Sequence, residues 1–201
     1  IAIEAASIAC GLVPGISRSF GFEKLLNFDR ELWTELREDA KSEVNLHREV
    51  SITASDISSI VVRKAEANAL RAGLGGLLES GNLKFSVCDA RNVLPPTETP
   101  GIIVANPPYG EQSTPRSATV GSMMRHVADN LKHNFAGWTA WMLTSDRHLP
   151  GEMHLKEGRK TVLFNGPLEC RFFKFDLVAG SNRRVKNRDA ASDSTPSDAE
   201  S

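Results

Sequence analysis

"GIIVANPPYG", residues 101–110, decides the fold class. Ile102, Ile103 and Val104 form a continuous apolar run, the pattern of an interior parallel strand with both faces covered. The run stops at Asn106 because Pro107 and Pro108 cannot donate to a sheet ladder. A loop is the plain reading of Asn-Pro-Pro. The chemical reading starts from acceptors: the Asn106 side-chain carbonyl and the Pro107 backbone carbonyl stand on a stiff Pro-Pro backbone. Such a pair can accept both hydrogens of an exocyclic NH2 and push electron density back onto its nitrogen. Tyr109 then offers a flat face for a heterocycle, and Gly110 allows close backbone approach.

Outward from this stretch, strands alternate with helices, which argues for a parallel α/β sheet. Upstream, "VSITASD" (50–56) and "LKFSVCD" (83–89) read as strands that each end in an acid. Between them "ISSIVVRKAEANALRAG" reads as a helix, with Ile57, Ile60, Val61, Ala65, Ala69 and Ala72 on one side and Gly73 as its C-cap. Downstream, Val120, Met123, Met124, Val127 and Leu131 form a helical stripe. "GWTAWMLTSD" reads as another continuous apolar strand, with Asp146 after it. "KTVLFNGPLECRFFKFDLV" reads as a hairpin turning at Asn165-Gly166.

The N-terminal part is helical. "IAIEAASIACGL" places Ile1, Ala5, Ile8 and Leu12 on one face, with no capping residue ahead of it. "DRELWTELREDAKSEV" carries Leu32, Trp33, Leu36 and Ala40 along a stripe. From about Ser181 the chain is polar and cannot bury enough apolar surface to fold. The expected organisation is one domain over 1–180 and a disordered polar tail over 181–201.

Bulk properties bound the function. The 201 residues carry a formal net charge of -1, so no overall basic field advertises a stand-alone nucleic-acid grip. The three cysteines, Cys10, Cys88 and Cys170, make no CxxC pair, and the five histidines show no metal-ligand spacing. Reduced thiols, a cytoplasmic location and no metal are therefore expected. No apolar run approaches a membrane span, and no signal peptide is expected. His126, His133 and the basic groups "RSFGFEK" and Arg183, Arg184, Lys186 and Arg188 read as solvated surface. Trp138 and Trp141 read as packing.

In parallel α/β sheets, ligands bind at the carboxyl ends of strands, where Asp56, Asp89 and Asn106 fall. A carboxylate at Asp56 can accept from ribose hydroxyls, and one at Asp89 from an adenine amine. Alone, Asp56 reads equally as an N-cap, and Asp89 reads rather more readily as a turn or cap than as a ligand group.

"NPPYGE" preceded by "GIIVA" resembles the motif of S-adenosylmethionine-dependent amino-methyltransferases of the Asn/Asp-Pro-Pro-Tyr type. With "IAIEAASIACGLVPGISRSFGFEKL", "SDISSIVVRKAEANALRAGL", "FAGWTAWMLTSD" and "NGPLEC", it is similar to the THUMP-linked ribosomal RNA guanine-N2 methyltransferases, and above all to those of large-subunit (23S) rRNA. The resemblance spans residues 1–177. It implies a Rossmann-like seven-strand sheet ending in an antiparallel hairpin. Set against that sheet, the first strand and its Gly-rich loop are expected to be missing from these 201 residues.

The resemblance implies S-adenosylmethionine as cofactor, with Asp56 at its ribose, Asp89 and Ala90 at its adenine end, and Ile57 also in the cofactor site. Asn106, Pro107, Pro108 and Tyr109 would form the catalytic motif, Asn106 reaching the cofactor as well. Tyr109, Gly110, Asn165 and Gly166 would line the target-base side. The implied partner is 23S rRNA, gripped by an upstream THUMP domain, with no metal and no membrane. Three rivals stand beside it. A DNA adenine N6 methyltransferase should carry a target-recognition insert, for which the motifs leave no room. "NGPLEC" speaks against a protein glutamine methyltransferase. A non-catalytic RNA-binding or scaffold remnant is the third.

Overall fold

The structure is a computed structural model that describes residues 1–108 and 117–178, the side chains of 117–119 excepted. Tyr109, Gly110, the polar tail and its basic group therefore lie outside the described residues. The element order is α1 (Ala2–Ala9), a 3-10 turn (Gly21–Lys24), α2 (Arg30–Ser42), β1 (Ile52–Asp56), α3 (Ser59–Arg71), α4 (Gly75–Glu79), β2 (Leu83–Val87), β3 (Ile102–Ala105), α5 (Ser117–Asn134), β4 (Thr139–Thr144), α6 (Leu149–Glu152), β5 (Arg159–Asn165) and β6 (Leu168–Asp176).

The strands form two hydrogen-bonded sheets among the described residues. One is the parallel pair β1-β2; the other has the order β3-β4-β6-β5. β3 and β4 are parallel, whereas β6 runs antiparallel to both of its neighbours. The α/β class and the antiparallel C-terminal hairpin are as expected. Among the described residues β1 and β3 each pair along one edge only. As a result β3 is an edge strand rather than an interior one. Its burial alternates, with Ile103 and Ala105 packed inward while Ile102 is 68% and Val104 44% exposed. The physical reason is one-sided cover, because the apolar stripe of α5 packs on one face of this sheet only.

Two hydrophobic clusters follow the two sheets. The larger joins Met124, Val127, Ala128 and Leu131 of α5 to Ala140, Met142, Phe173 and Phe175 of the four-stranded sheet. Phe175 is fully buried, which contributes about 1.5–3 kcal/mol from removing its apolar surface from water. The stripe read for α5 is the face that packs. On β4, burial alternates instead of running continuously, and Trp141 stacks on Phe172 across the opposite face at 4.9 Å. Trp138 is buried, and His126 and His133 are exposed.

The smaller cluster holds Ala6 and Cys10 of the first helical segment, Ala69, Leu74, Leu77 and Leu83. Here the helical faces differ from expectation. α1 buries Ala6 and Cys10, while Ile8 is 76% exposed and Ala5 also faces out. Small side chains let the helix backbone settle close onto β1, which the bulkier stripe would prevent. α3 likewise buries Val62 and Ala69 and leaves Ile60 and Val61 exposed, as is Ile57 ahead of it. α2 turns Trp33, Arg37 and Ala40 inward and exposes Leu32 and Leu36. Trp33 instead meets Phe20 and Phe22 edge-on.

Local chemistry closes the elements. Asp29 caps α2 by accepting from the Leu32 N–H at 2.9 Å. α3 ends in a Schellman motif. Gly73 takes φ +82°, its N–H donates to the Leu70 carbonyl, and the Leu74 N–H reaches back to that of Ala69. The hairpin turn is shifted by one residue from the Asn165-Gly166 reading. Asn165 pairs with Leu168, so Gly166 and Pro167 form the tip. Gly166 has φ +60° and Pro167 a φ fixed by its ring, which is the arrangement of a type II′ turn.

Candidate functional site

The sequence predicts ligand-facing residues after β1, β2 and β3. In the structure the first two groups come together. Asp56 is the last residue of β1 and lies in register with Val87, the last residue of β2. The Cys88 N–H donates to the Asp56 carbonyl at 3.0 Å, which brings the loop after β2 alongside the end of β1. Adjacent strands lie about 4.8 Å apart, so Asp56 and the Asp89 loop are near neighbours.

Asp56 is not the helix cap. Ser58 occupies that position, and the Asp56 carboxylate accepts from the Ser58 N–H at 2.8 Å. This bond fixes the carboxylate at the strand end. It uses one of roughly four acceptor positions on a carboxylate, so hydroxyl groups of a ligand can still be received. Ile57 follows, 69% exposed, an apolar side chain at the edge of the same corner.

Asp89 stands two residues beyond β2 and is bound by Arg91. The Arg91 backbone N–H donates to Oδ1 at 2.9 Å, Nε lies 3.0 Å from both oxygens, and Nη2 is 2.5 Å from Oδ2. The side-chain hydrogen bonds of Arg91 come first, and its backbone N–H second, in lowering the Asp89 carboxyl to about 2. Asp89 is therefore ionised at neutral pH, an acceptor only. An amine donor arriving here would share the carboxylate with Arg91.

Asn106 follows directly on Ala105, which pairs with Met142 in β4. It is exposed and makes a polar contact of its own, while Pro107 is half-buried and Pro108 exposed. The hairpin tip with Asn165 and Gly166 shares the carboxyl edge of this sheet. The register shows it: Thr144, the end of β4, lies opposite Arg171 near the start of β6. β4 stands between β3 and β6, so those two strands lie roughly two strand spacings, about 10 Å, apart across the sheet, and the tip projects beyond the end of β4, since Leu168 is past Arg171. Beside the tip, Glu169 receives Arg171 at 2.6 Å and Arg147 at 2.9 Å, and these guanidiniums, Arg171 first, hold its carboxyl below the ordinary value. Asp146 serves a turn, accepting from the His148 N–H at 2.7 Å.

Two contacts were missed in the sequence. Arg91 was legible as a cation two positions after an acid in a loop. Asn130 of α5 gave no local signal. Its side-chain amide reaches the Ala90 and Val93 carbonyls at 3.3 and 2.9 Å, fastening the Asp89 loop to the helix that packs on the other sheet. Among the described residues no group of three His, Cys, Asp or Glu side chains is arranged to hold a metal, and no helix is long and apolar enough to cross a membrane.

The chain is 38% identical over 191 residues to ribosomal RNA large subunit methyltransferase K/L of Shewanella baltica (strain OS155), an alignment covering 92% of this chain and 26% of that protein. It thus spans about a quarter of the length of the curated relatives it matches. The crystal structure of SMU.472 complexed with SAH matches with a TM-score of 0.78 and 25% identity, over 90% of this chain and 46% of that one. A predicted N6-adenine-specific DNA methylase from Listeria monocytogenes matches with a TM-score of 0.75 and 26% identity, over 87% and 43%. The family model for the RMKL-like methyltransferase domain, UPF0020, aligns with residues 1–174. The chain belongs to this methyltransferase-domain family, and the α/β arrangement is its Rossmann-like fold.

Proposed function

We propose that this chain carries out methyl transfer from S-adenosylmethionine to the exocyclic N2 amine of a guanine in 23S rRNA. The observation that carries the reading is Asn106-Pro107 at the carboxyl end of β3, in a chain 38% identical to proteins named as ribosomal RNA large subunit methyltransferases. The cofactor fits the acceptor chemistry after β1 and β2: an Asp56 carboxylate with spare acceptor capacity, an apolar Ile57 beside it and an ionised Asp89. When bound, the cofactor supplies an electrophilic methyl on a sulfonium.

The protein residues orient and activate. Asp56 takes ribose hydroxyls, Ile57 packs against the nucleoside, and Asp89 with Ala90 meets the adenine edge. The Asn106 Oδ1 and the Pro107 carbonyl accept the two N2 hydrogens. That aligns the nitrogen lone pair for in-line attack and raises its electron density. Pro108 stiffens this acceptor pair, and Tyr109 stacks on the base. Asn165, Gly166 and Gly110 border the base. Asn106 has no basic lone pair at neutral pH, so the N2 proton passes to water after transfer.

A guanine in structured RNA is swung out to reach such a site. The chain's net charge of -1 gives little phosphate attraction, so the grip on 23S rRNA is assigned to an upstream THUMP domain of the intact cytoplasmic protein. The expected domain boundary near residue 180 belongs to the same proposal.

A second reading is favoured by the Listeria monocytogenes match: transfer to the N6 amine of adenine in DNA, which the same acceptor pair would serve. One assay separates them. Tritiated methyl from S-adenosylmethionine is offered to undermethylated 23S rRNA and to duplex DNA. Label on guanine of the rRNA supports the proposal, label on DNA supports the second reading, and label on neither, with no S-adenosylhomocysteine binding, leaves a non-catalytic scaffold.

A further inference from the structure

We infer that Asn130 is a positioning residue of the adenine end of the cofactor site, acting from outside it through the backbone of the Asp89 loop. The inference rests on the cofactor reading of Asp89 and Ala90. The Asn130 Nδ2 donates to the Ala90 carbonyl at 3.3 Å and to the Val93 carbonyl at 2.9 Å. Carbonyl oxygens only accept, so the amide nitrogen must face them, and its two hydrogens satisfy both. Its Oδ1 in turn receives the Asn134 Nδ2 at 2.6 Å, one helical turn further along α5. The rotamer is thereby fixed from both ends.

The loop needs such a hold. It leaves the two-stranded sheet at Val87 and enters the four-stranded sheet at Ile102, and the clamped carbonyls flank its turn. Within it, the Asn92 N–H closes back on the Asp89 carbonyl at 2.8 Å, and Val93 packs on the larger core cluster. Arg91 fixes the Asp89 side chain, but it belongs to the same loop. Asn130 supplies the outside anchor. It ties the loop to α5, the helix that begins after residues 109–116 and packs on β4 and β6. The Ala90 backbone, which would face adenine, is thus set by a side chain 40 positions away. The coupling is specific: an amide can donate twice and accept once here, whereas a carboxylate at the same place would confront two carbonyls with no donor.

The test uses the intact protein and S-adenosylhomocysteine as probe. Asn130→Ala, Asn130→Asp and Asn130→Gln are titrated calorimetrically, and S-adenosylmethionine kinetics are measured at saturating RNA. The expected result is a dissociation constant and cofactor KM raised about tenfold in Asn130→Ala and further in Asn130→Asp. Asn130→Gln, which keeps both donors, should stay nearer wild type, and kcat should change by less than about twofold in all three. Equal losses in all three variants, or a loss carried by kcat, would assign Asn130 to general packing and overturn the inference. Unchanged affinity in Asn130→Ala, with wild type binding normally, would overturn it too. Failure of the wild-type protein itself to bind the probe removes the cofactor reading and the inference with it. Asn130 variants that bind like wild type remove the inference alone.

Discussion

The carboxylate of Asp89 is gripped by Arg91, two residues along the same loop, through three donor groups, the closest at 2.5 Å. A loop between two sheets thus presents an ionised acceptor with a fixed direction. The grip lowers the Asp89 carboxyl to about 2, mainly by the Arg91 side-chain hydrogen bonds. A group with a depressed folded pKa stabilises the fold above its unfolded value, near 4, and that contribution is lost as pH falls towards about 2. The pair is exposed, so the effect on global stability is small and is best read at the residue. In Arg91→Ala the Asp89 midpoint should return to the ordinary carboxylate range, seen as the pH titration of its carboxyl carbon by NMR. A midpoint that stays near 2 in the variant would show that Arg91 is not the cause.

Asn106→Ala tests the amine-acceptor role. It removes one oriented acceptor at the reacting nitrogen and nothing from the Asp56–Asp89 corner. The expected loss is about 10²–10³-fold in kcat, the scale for deleting one preorganised polar group at a reacting centre. Cofactor affinity should stay within about threefold. Unchanged turnover would sink the proposed role.

Asp56 variants separate the ligand role from the turn role. Asp56→Asn keeps an acceptor for the Ser58 N–H and loses the charge offered to ribose hydroxyls. A hydrogen bond to a charged group contributes about 1.5–3 kcal/mol, so S-adenosylhomocysteine binding should weaken about tenfold to a hundredfold. The melting temperature should move little. Normal affinity with a lowered melting temperature would make Asp56 a turn residue only.

The parts of this fold that were legible in sequence are those set by local chemistry. An apolar run followed by an acid or by Asn-Pro-Pro gave β1, β2 and β3, because strand termination is written in neighbouring residues. Which face of a helix points inward was not legible in α1 or α3. α1 is apolar nearly all round and α3 carries apolar residues on more than one side, and the packed side was chosen by the closeness that Ala6 and Ala69 allow, not by side-chain size. The hairpin was placed one residue early because Asn-Gly outweighed the Pro167 that follows it. Asn130 could not be read at all: its acceptors lie 37 and 40 positions away, and nothing in "VADNLKHN" announces them.

Gly166→Ala isolates backbone strain. Gly166 has φ +60°, and a Cβ built there meets nothing within 4 Å. The cost is therefore conformational alone, about 1–3 kcal/mol for an L-residue held in this sparsely populated positive-φ region. The expected readout is a lowered melting temperature with the hairpin still paired. An unchanged melting temperature would mean that the tip relaxes into another turn.

The two clusters predict two units of protection. Leu77 is fully buried in the smaller one, and Phe175 in the larger, with no residue common to both. Leu77→Ala should cost about 2–5 kcal/mol and Phe175→Ala about 3–5 kcal/mol of local stability, from lost transfer energy and a cavity. The two sheets share no ladder hydrogen bonds among the described residues, and the Asn130 clamp is a side-chain link between them. Native-state amide exchange should therefore split. Leu77→Ala should speed exchange in β1 and β2 well before β4 and β6, and Phe175→Ala should do the reverse. Uniform acceleration throughout the chain in both variants would show instead that the clusters open as one cooperative unit. In that case the loop held by Asn130 transmits stability as well as position.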